Sequence, residues 1–187
     1  MANQNSEREV LEIKKYPESI LRKKSIPILE ITKKEIKLFE DMLLTMYTFS
    51  GIGLAAPQVG SSSQIIVADI GEGVIKLANP RIIKTKGEDK LAEGCLSLPD
   101  VNVQIKRPYE VLVEGLNDKG ELIEIKTSGL MARVIQHEID HLKGRLIIDY
   151  MGLIDKMKLY KLKRKRLKEK NNLLNASGGK LSRMKFL

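Results

Sequence analysis

Gln136-His137-Glu138-Ile139-Asp140-His141-Leu142 carries both histidines of a 187-residue chain, and they stand four apart. On a helix, residues four apart share a face, one turn above the other, so both imidazoles can hold one metal ion. The glutamate between them completes H-E-x-x-H, in which the carboxylate serves as base toward a metal-activated water. The flanking residues say what kind of helix this is. Leu130, Met131, Val134, Ile135, Ile139 and Leu142 are apolar around most of its circumference, the pattern of a buried helix. The spacing predicts a helix over residues 130–143, closed by Gly144 as its C-cap. Histidines, a glutamate and an aspartate inside such a helix need partners, which favours a metal site over two ordinary histidines.

A buried helix needs layers around it, and the sequence before it supplies strands. Residues 109–116 and 121–127 alternate cleanly about Asn117-Asp118-Lys119-Gly120, the strongest hairpin in the chain. Residues 101–105 and 81–85 read as further strands. Residues 64–70 are rich in Ile and Val, and Gly71-Glu72-Gly73 joins them to residues 74–77 as another hairpin. Short strands joined by tight turns imply antiparallel or mixed sheets. Thr32-Lys33-Lys34-Glu35 is a capping box. The helix it opens places Ile36, Phe39, Leu43, Met46 and Tyr47 on one apolar face and stops at Ser50-Gly51. Pro17 is placed to open a short helix over residues 18–23.

After the motif, residues 151–175 read as a last helix, densely basic over residues 161–168, followed by a flexible tail. The expected fold is therefore α+β, with antiparallel or mixed sheets packed around a central buried helix carrying H-E-x-x-H, plus a C-terminal helix. Residues 1–152 form one catalytic domain in this reading, residues 153–175 the basic helix and residues 176–187 the tail.

Composition narrows the class. Apolar residues at 42% and charged residues at 30% are those of a globular protein, and with aromatics at 4% the core must be aliphatic. A net charge of +9 invites a polyanionic partner. The single Cys95 rules out an internal disulfide framework and suits a reducing, cytoplasmic setting. No apolar run approaches the roughly 20 residues of a membrane span, and the polar, partly acidic opening is neither a secretory signal nor an organelle transit peptide. Neither a membrane nor DNA is expected as a partner.

Two histidines leave a catalytic metal site one ligand short, and an Asp, a Glu or Cys95 has to supply it. Cys95 sits in Glu93-Gly94-Cys95-Leu96-Ser97-Leu98-Pro99, a loop between strand-like runs. Earlier, Gly51-Ile52-Gly53-Leu54-Ala55-Ala56-Pro57-Gln58-Val59-Gly60 combines small residues, which let a ligand approach the backbone, with an amide donor in Gln58. Each loop alone is weak evidence.

In this order and at these separations, G-I-G-L-A-A-P-Q, E-G-C-L-S and Q-H-E-I-D-H resemble the three signature motifs of the peptide deformylases, a likeness running from about Tyr16 to Tyr150. The resemblance implies that Cys95, His137 and His141 hold one divalent metal, ferrous iron in the usual form, with nickel, cobalt or zinc as substitutes. It implies Glu138 as general base and acid, and Gln58 and the Leu96 backbone N–H as the oxyanion hole. Gly53 and Gly94 would lie along the substrate backbone. The implied reaction removes the formyl group from N-formylmethionyl nascent peptides and releases formate. Val134 and Leu130, on the helical face before His137, and Ile52 are expected to wall a pocket for the methionine side chain. Asp140 takes a structural role in this reading, and Arg107 with Glu93 is a candidate ion pair. Lys106 and Asn102 lie where some relatives carry substrate-contacting basic residues, and Asn102 is neutral.

Two other classes compete. An H-E-x-x-H zinc peptidase would need a carboxylate as third ligand, and the nearest one downstream, Glu169, sits in a basic run. An RNA-binding protein would explain the net charge. In the deformylase reading the basic terminal helix instead docks the enzyme on the ribosome.

Overall fold

The computed structural model describes residues 8–157. The chain divides into two units, residues 1–149 and residues 150–187. The first holds a five-stranded antiparallel sheet, a two-stranded antiparallel sheet and two α-helices. In the large sheet the order is β1 (Gly53–Ala55), β2 (Ile65–Ala68), β3 (Ile75–Lys86), β6 (Glu110–Leu116) and β7 (Leu122–Ser128). The small one pairs β4 (Asp89–Glu93) with β5 (Val103–Arg107). Helix α1 is Lys33–Thr48 and α2 is Gly129–Leu142. In the second unit residues 153–157 are helical, and the basic run and tail expected beyond them lie outside the described residues.

The two helices cover opposite faces of the large sheet, and the period of two along β2 shows how. Ile66 and Ala68 pack in one cluster with Met131, Ala132, Val134, Ile135, Ile139 and Leu142 of α2. Ile65 and Val67 pack in another with Phe39, Met42, Leu43 and Met46 of α1. Alternate side chains of a strand point to opposite faces, so a strand apolar at every position needs a cover on both. That arrangement buries α2, as its sequence requires.

Local signals place most of the ends. Thr32 caps α1: the Lys34 N–H donates to Thr32 Oγ1 at 3.2 Å, and the Thr32 N–H donates to Glu35 Oε2 at 3.1 Å. On that helix, Ile36 and Tyr47 are half-exposed, and Met42 fills the core position that neither of them takes. Gly144, with φ +72°, follows α2 and donates its N–H to the His141 carbonyl at 3.0 Å. Its backbone lies against Arg22, where an added Cβ would come within 2.5 Å of the Arg22 carbonyl oxygen. The helix expected at Pro17 is a short 3-10 turn over Ser19–Arg22, with Glu18 rather than Pro17 at its start.

The strands expected at residues 74–77 and 81–85 are one strand, β3, interrupted by a bulge. The register with β6 shifts between Ala78 and Arg81, and Asn79 sits at φ +51°. Pro80 has no N–H to give the ladder, and a bulge is where a strand tolerates that. The Asn79 side chain closes the bulge onto the chain at Ile28, accepting its N–H at 2.8 Å and donating to its carbonyl at 2.7 Å. Strand β1 lies in a stretch that reads as a glycine-rich loop, and β4 precedes Gly94 in a stretch given no strand from the sequence. The hairpin of β6 and β7 has the expected turn, with Asn117 accepting from the Glu121 N–H at 3.0 Å.

Candidate metal centre

The three sequence segments meet around one cavity. β1 and the 3-10 turn Ala56–Val59 present Gly53 and Gln58, the segment after β4 presents Gly94, Cys95 and Leu96, and α2 presents Leu130, Val134, His137 and Glu138. All of these, with Ile52, line one cavity of about 400 Å³. His141 lies deeper, 1% exposed, one turn beyond His137.

Cys95, His137 and His141 each offer a ligand atom, and these atoms lie within 4.8 Å of one another. Cys95 Sγ stands 3.2 Å from His141 Nε2, and the two imidazoles meet edge to face with centroids 5.0 Å apart. The donor set, one thiol and two imidazoles, is one that a divalent transition metal accepts while leaving a position open. The surroundings fit a cation as well: Glu138 Oε2 is buried, borders the cavity and has no hydrogen-bond partner among the described residues.

Behind the ligands lies a buried ionic cluster. Burial pushes the Glu93 carboxyl up, but hydrogen bonds from His137 and Arg107 outweigh it and hold the group at about 2. Glu93 is therefore a carboxylate that only accepts, so the 2.9 Å contact between its Oε2 and His137 Nδ1 makes Nδ1 the protonated nitrogen. The other nitrogen, Nε2, is left for the metal, the usual arrangement behind a liganding histidine. Arg107 grips Glu93 through two bonds of 2.6 and 2.9 Å and reaches Asp140 at 2.8 Å. The ion pair expected between Arg107 and Glu93 is thus buried, and Asp140 belongs to it. Lys106 pairs at the surface with Glu88.

Glu138 is as deeply enclosed as its neighbours on α2. Burial raises its carboxyl to about 7, against the pull of the His137 and Arg107 charges. A base whose proton affinity lies near neutrality can both take and return a proton. The pinned amide of Gln58 faces the same space. Its Oε1 accepts the Ala55 N–H at 2.8 Å, which turns Nε2 toward Cys95 Sγ at 3.6 Å and Ser97 Oγ at 3.3 Å. Of the expected wall residues, Val134 is buried, while Ile52 and Leu130 are half-exposed at the rim.

The model of the family described as polypeptide deformylase matches residues 10–157. The chain belongs to the peptide deformylase family. It is 51% identical over 142 residues to the peptide deformylase of Halothermothrix orenii, spanning 75% of this chain and 92% of that protein. It is 45% identical over 165 residues to that of Syntrophobacter fumaroxidans, spanning 86% and 97%. Among solved structures, the peptide deformylase from Thermotoga maritima aligns with a TM-score of 0.74 at 40% identity, over 76% of this chain and 97% of that one. The peptide deformylase from Ehrlichia chaffeensis in complex with actinonin aligns with a TM-score of 0.80 at 34% identity, over 84% and 98%. Deformylases are metal-dependent hydrolases that remove the N-formyl group from nascent polypeptides, and this chain is an enzyme of that type.

One residue of the site went unread in the sequence. Arg133 is buried, lines the cavity and bonds to Glu93 at 2.7 Å. The signal was present: an arginine four residues before His137, inside a helix read as buried, needs an anionic partner. Among the described residues no helix is long and apolar enough to cross a membrane.

Proposed function

We propose that this deformylase holds its divalent ion through Cys95, His137 and His141, with Glu138 as the group that moves the proton. The convergence of those three ligand atoms beside the partnerless, raised carboxyl of Glu138 supports this reading best. Ferrous iron is the cellular metal, and nickel, cobalt or zinc can replace it in the same donor set. Such an ion, when bound, supplies a water acidic enough to give hydroxide near neutral pH.

The residues do the rest. Glu138 takes the proton from the attacking water and delivers it to the amine nitrogen as the C–N bond to the formyl carbon breaks, giving formate and a free amino terminus. Gln58, its Oε1 already held by the Ala55 N–H, donates from Nε2 to the oxygen that gains charge on the formyl carbon, and the Leu96 N–H is the second donor. The methionine side chain enters between Ile52, Leu130 and Val134, and the peptide runs along Gly53 and Gly94.

The test is formate release from formyl-Met-Ala-Ser by protein purified without air and loaded with ferrous iron or nickel. Glu138→Ala should abolish release while the metal stays bound. Metal-loaded wild-type protein that releases no formate would overturn the assignment.

The basic run at residues 161–168 supports docking on the ribosome, and a cytoplasmic location fits an enzyme that meets formylated chains as they emerge. Deleting residues 153–187 should leave turnover of the short peptide intact and weaken ribosome binding, with the loss depending steeply on salt. Unchanged ribosome affinity would refute docking through this segment.

A further inference from the structure

We infer that Arg133 is a positioning residue, which holds Glu93, and through it Cys95 and the His137 ring, in the geometry that binds the metal. The inference rests on Cys95 and His137 being ligands. Arg133 and His137 are one turn apart on the same face of α2. Each takes a different oxygen of the same carboxylate: Arg133 Nη1 donates to Glu93 Oε1 at 2.7 Å, and His137 Nδ1 to Oε2 at 2.9 Å. Glu93 therefore bridges two successive turns of α2 and cannot rotate without breaking one of them. Glu93 is also the last residue of β4, and Cys95 follows it by two residues. Whatever fixes Glu93 fixes the backbone that delivers the thiol.

Arg107 alone does not do this. It arrives from β5, and it shares its charge between Glu93 and Asp140. One arginine against two buried carboxylates leaves the cluster with an excess negative charge, and buried ions need compensation. Arg133 brings the cluster to balance. It also reaches past Glu93 to the small sheet, donating to the Ile105 carbonyl at 2.9 Å and to the Asp89 carbonyl at 3.0 Å. The guanidinium thus ties both ends of β4, and β5, to the helix that carries the histidines. A planar five-donor group can serve these three acceptors at once, and an ammonium cannot do so in this geometry.

The experiment uses full-length protein and two readouts. Cobalt(II) affinity is measured by chelator competition, following the visible absorption of the bound ion. The His137 Nδ1–H proton resonance is followed in zinc-loaded protein. Arg133→Met keeps an unbranched stem and removes every donor. It should weaken cobalt binding 10- to 100-fold, the range for loss of a partner behind a metal ligand. It should also move the His137 Nδ1–H signal upfield as its acceptor loosens. If Arg133→Met does not fold, Arg133→Lys, which keeps the charge with a single-point contact, should show a smaller loss and shift in the same directions. A dissociation constant within twofold of wild type, or an unmoved His137 signal, overturns the inference whatever happens to the melting temperature. The ligand assignment fails separately: Cys95→Ser and His141→Ala would then bind cobalt like wild type.

Discussion

Gly53 is the position where one added carbon tests the geometry of Glu138, the proposed base. A Cβ there would lie 2.4 Å from Glu138 Oε1 and 2.6 Å from Val134 Cγ1. Carbon atoms pack at about 3.5–4.0 Å, so the valine contact is short by roughly 1 Å. The carboxylate is the end of a flexible side chain, but Glu138 is only 3% exposed and has little room to swing. Val134, β-branched on a helix, keeps one preferred rotamer and cannot turn its methyl away. In Gly53→Ala, therefore, Glu138 is displaced by about 1 Å, or α2 is pushed off β1. A misplacement of that size costs on the order of 100-fold in rate, and the overpacking costs about 1–3 kcal/mol of stability. None of the three proposed metal ligands is among the atoms nearest that Cβ. The expected result is a loss of about two decades in kcat/KM for formate release, with metal content at the wild-type level and the melting temperature lowered. Activity within threefold of wild type would show that the carboxylate tolerates the move and that its position is not critical. Metal lost in step with activity would show a general collapse of the site rather than a displaced base.

Cys95→Ser should lose tightly bound metal on dialysis and lose formate release with it, as measured by metal analysis. Retention of the full metal complement would point to a carboxylate ligand and to the peptidase class. Asn79→Ala removes both bonds to Ile28 and the side chain suited to a left-handed backbone; it should destabilise the fold by about 1–3 kcal/mol in urea unfolding, and an unchanged midpoint would mean the bulge holds itself. Thr32→Ala takes away the α1 cap and should cost about 0.5–2 kcal/mol, with formate release unaffected, because Thr32 caps the end of α1 opposite Ser50 and Gly51, which line the cavity. A matched loss of activity would refute that separation.

What the sequence showed depended on how far apart the interacting residues are along the chain. The capping box at Thr32, the turn at Asn117–Gly120 and the face shared by His137 and His141 are settled within four or five residues, and each appears in the structure as read. Strand β4, Asp-Lys-Leu-Ala-Glu, is poor in the β-branched and aromatic residues of strands, and pairing with β5 makes it one. At Asn79-Pro80 local rules break the strand, correctly marking the irregularity but not the continuity that pairing with β6 restores across it. Ile36 and Tyr47 fit the helical period and still face outward, because a period gives the stripe's direction and the partner sets its width.

The site divides along the same line. Its proposed ligands stood out because two histidines share one turn-to-turn spacing and because three short motifs together resemble one family. The cluster behind them joins residues 93, 107, 133 and 140, drawn from β4, β5 and α2, and no local pattern encodes it. A buried charge nevertheless leaves a trace in any sequence whose buried helix can be recognised, since each ion there requires a counter-ion. Applied to α2, that requirement covers Arg133 as well as Glu138 and Asp140. Asp140 is met by Arg107 from β5, and Glu138 Oε2 has no partner among the described residues, so Arg133 calls for a carboxylate from outside the helix. Glu93, two residues before Cys95, is where the structure supplies it.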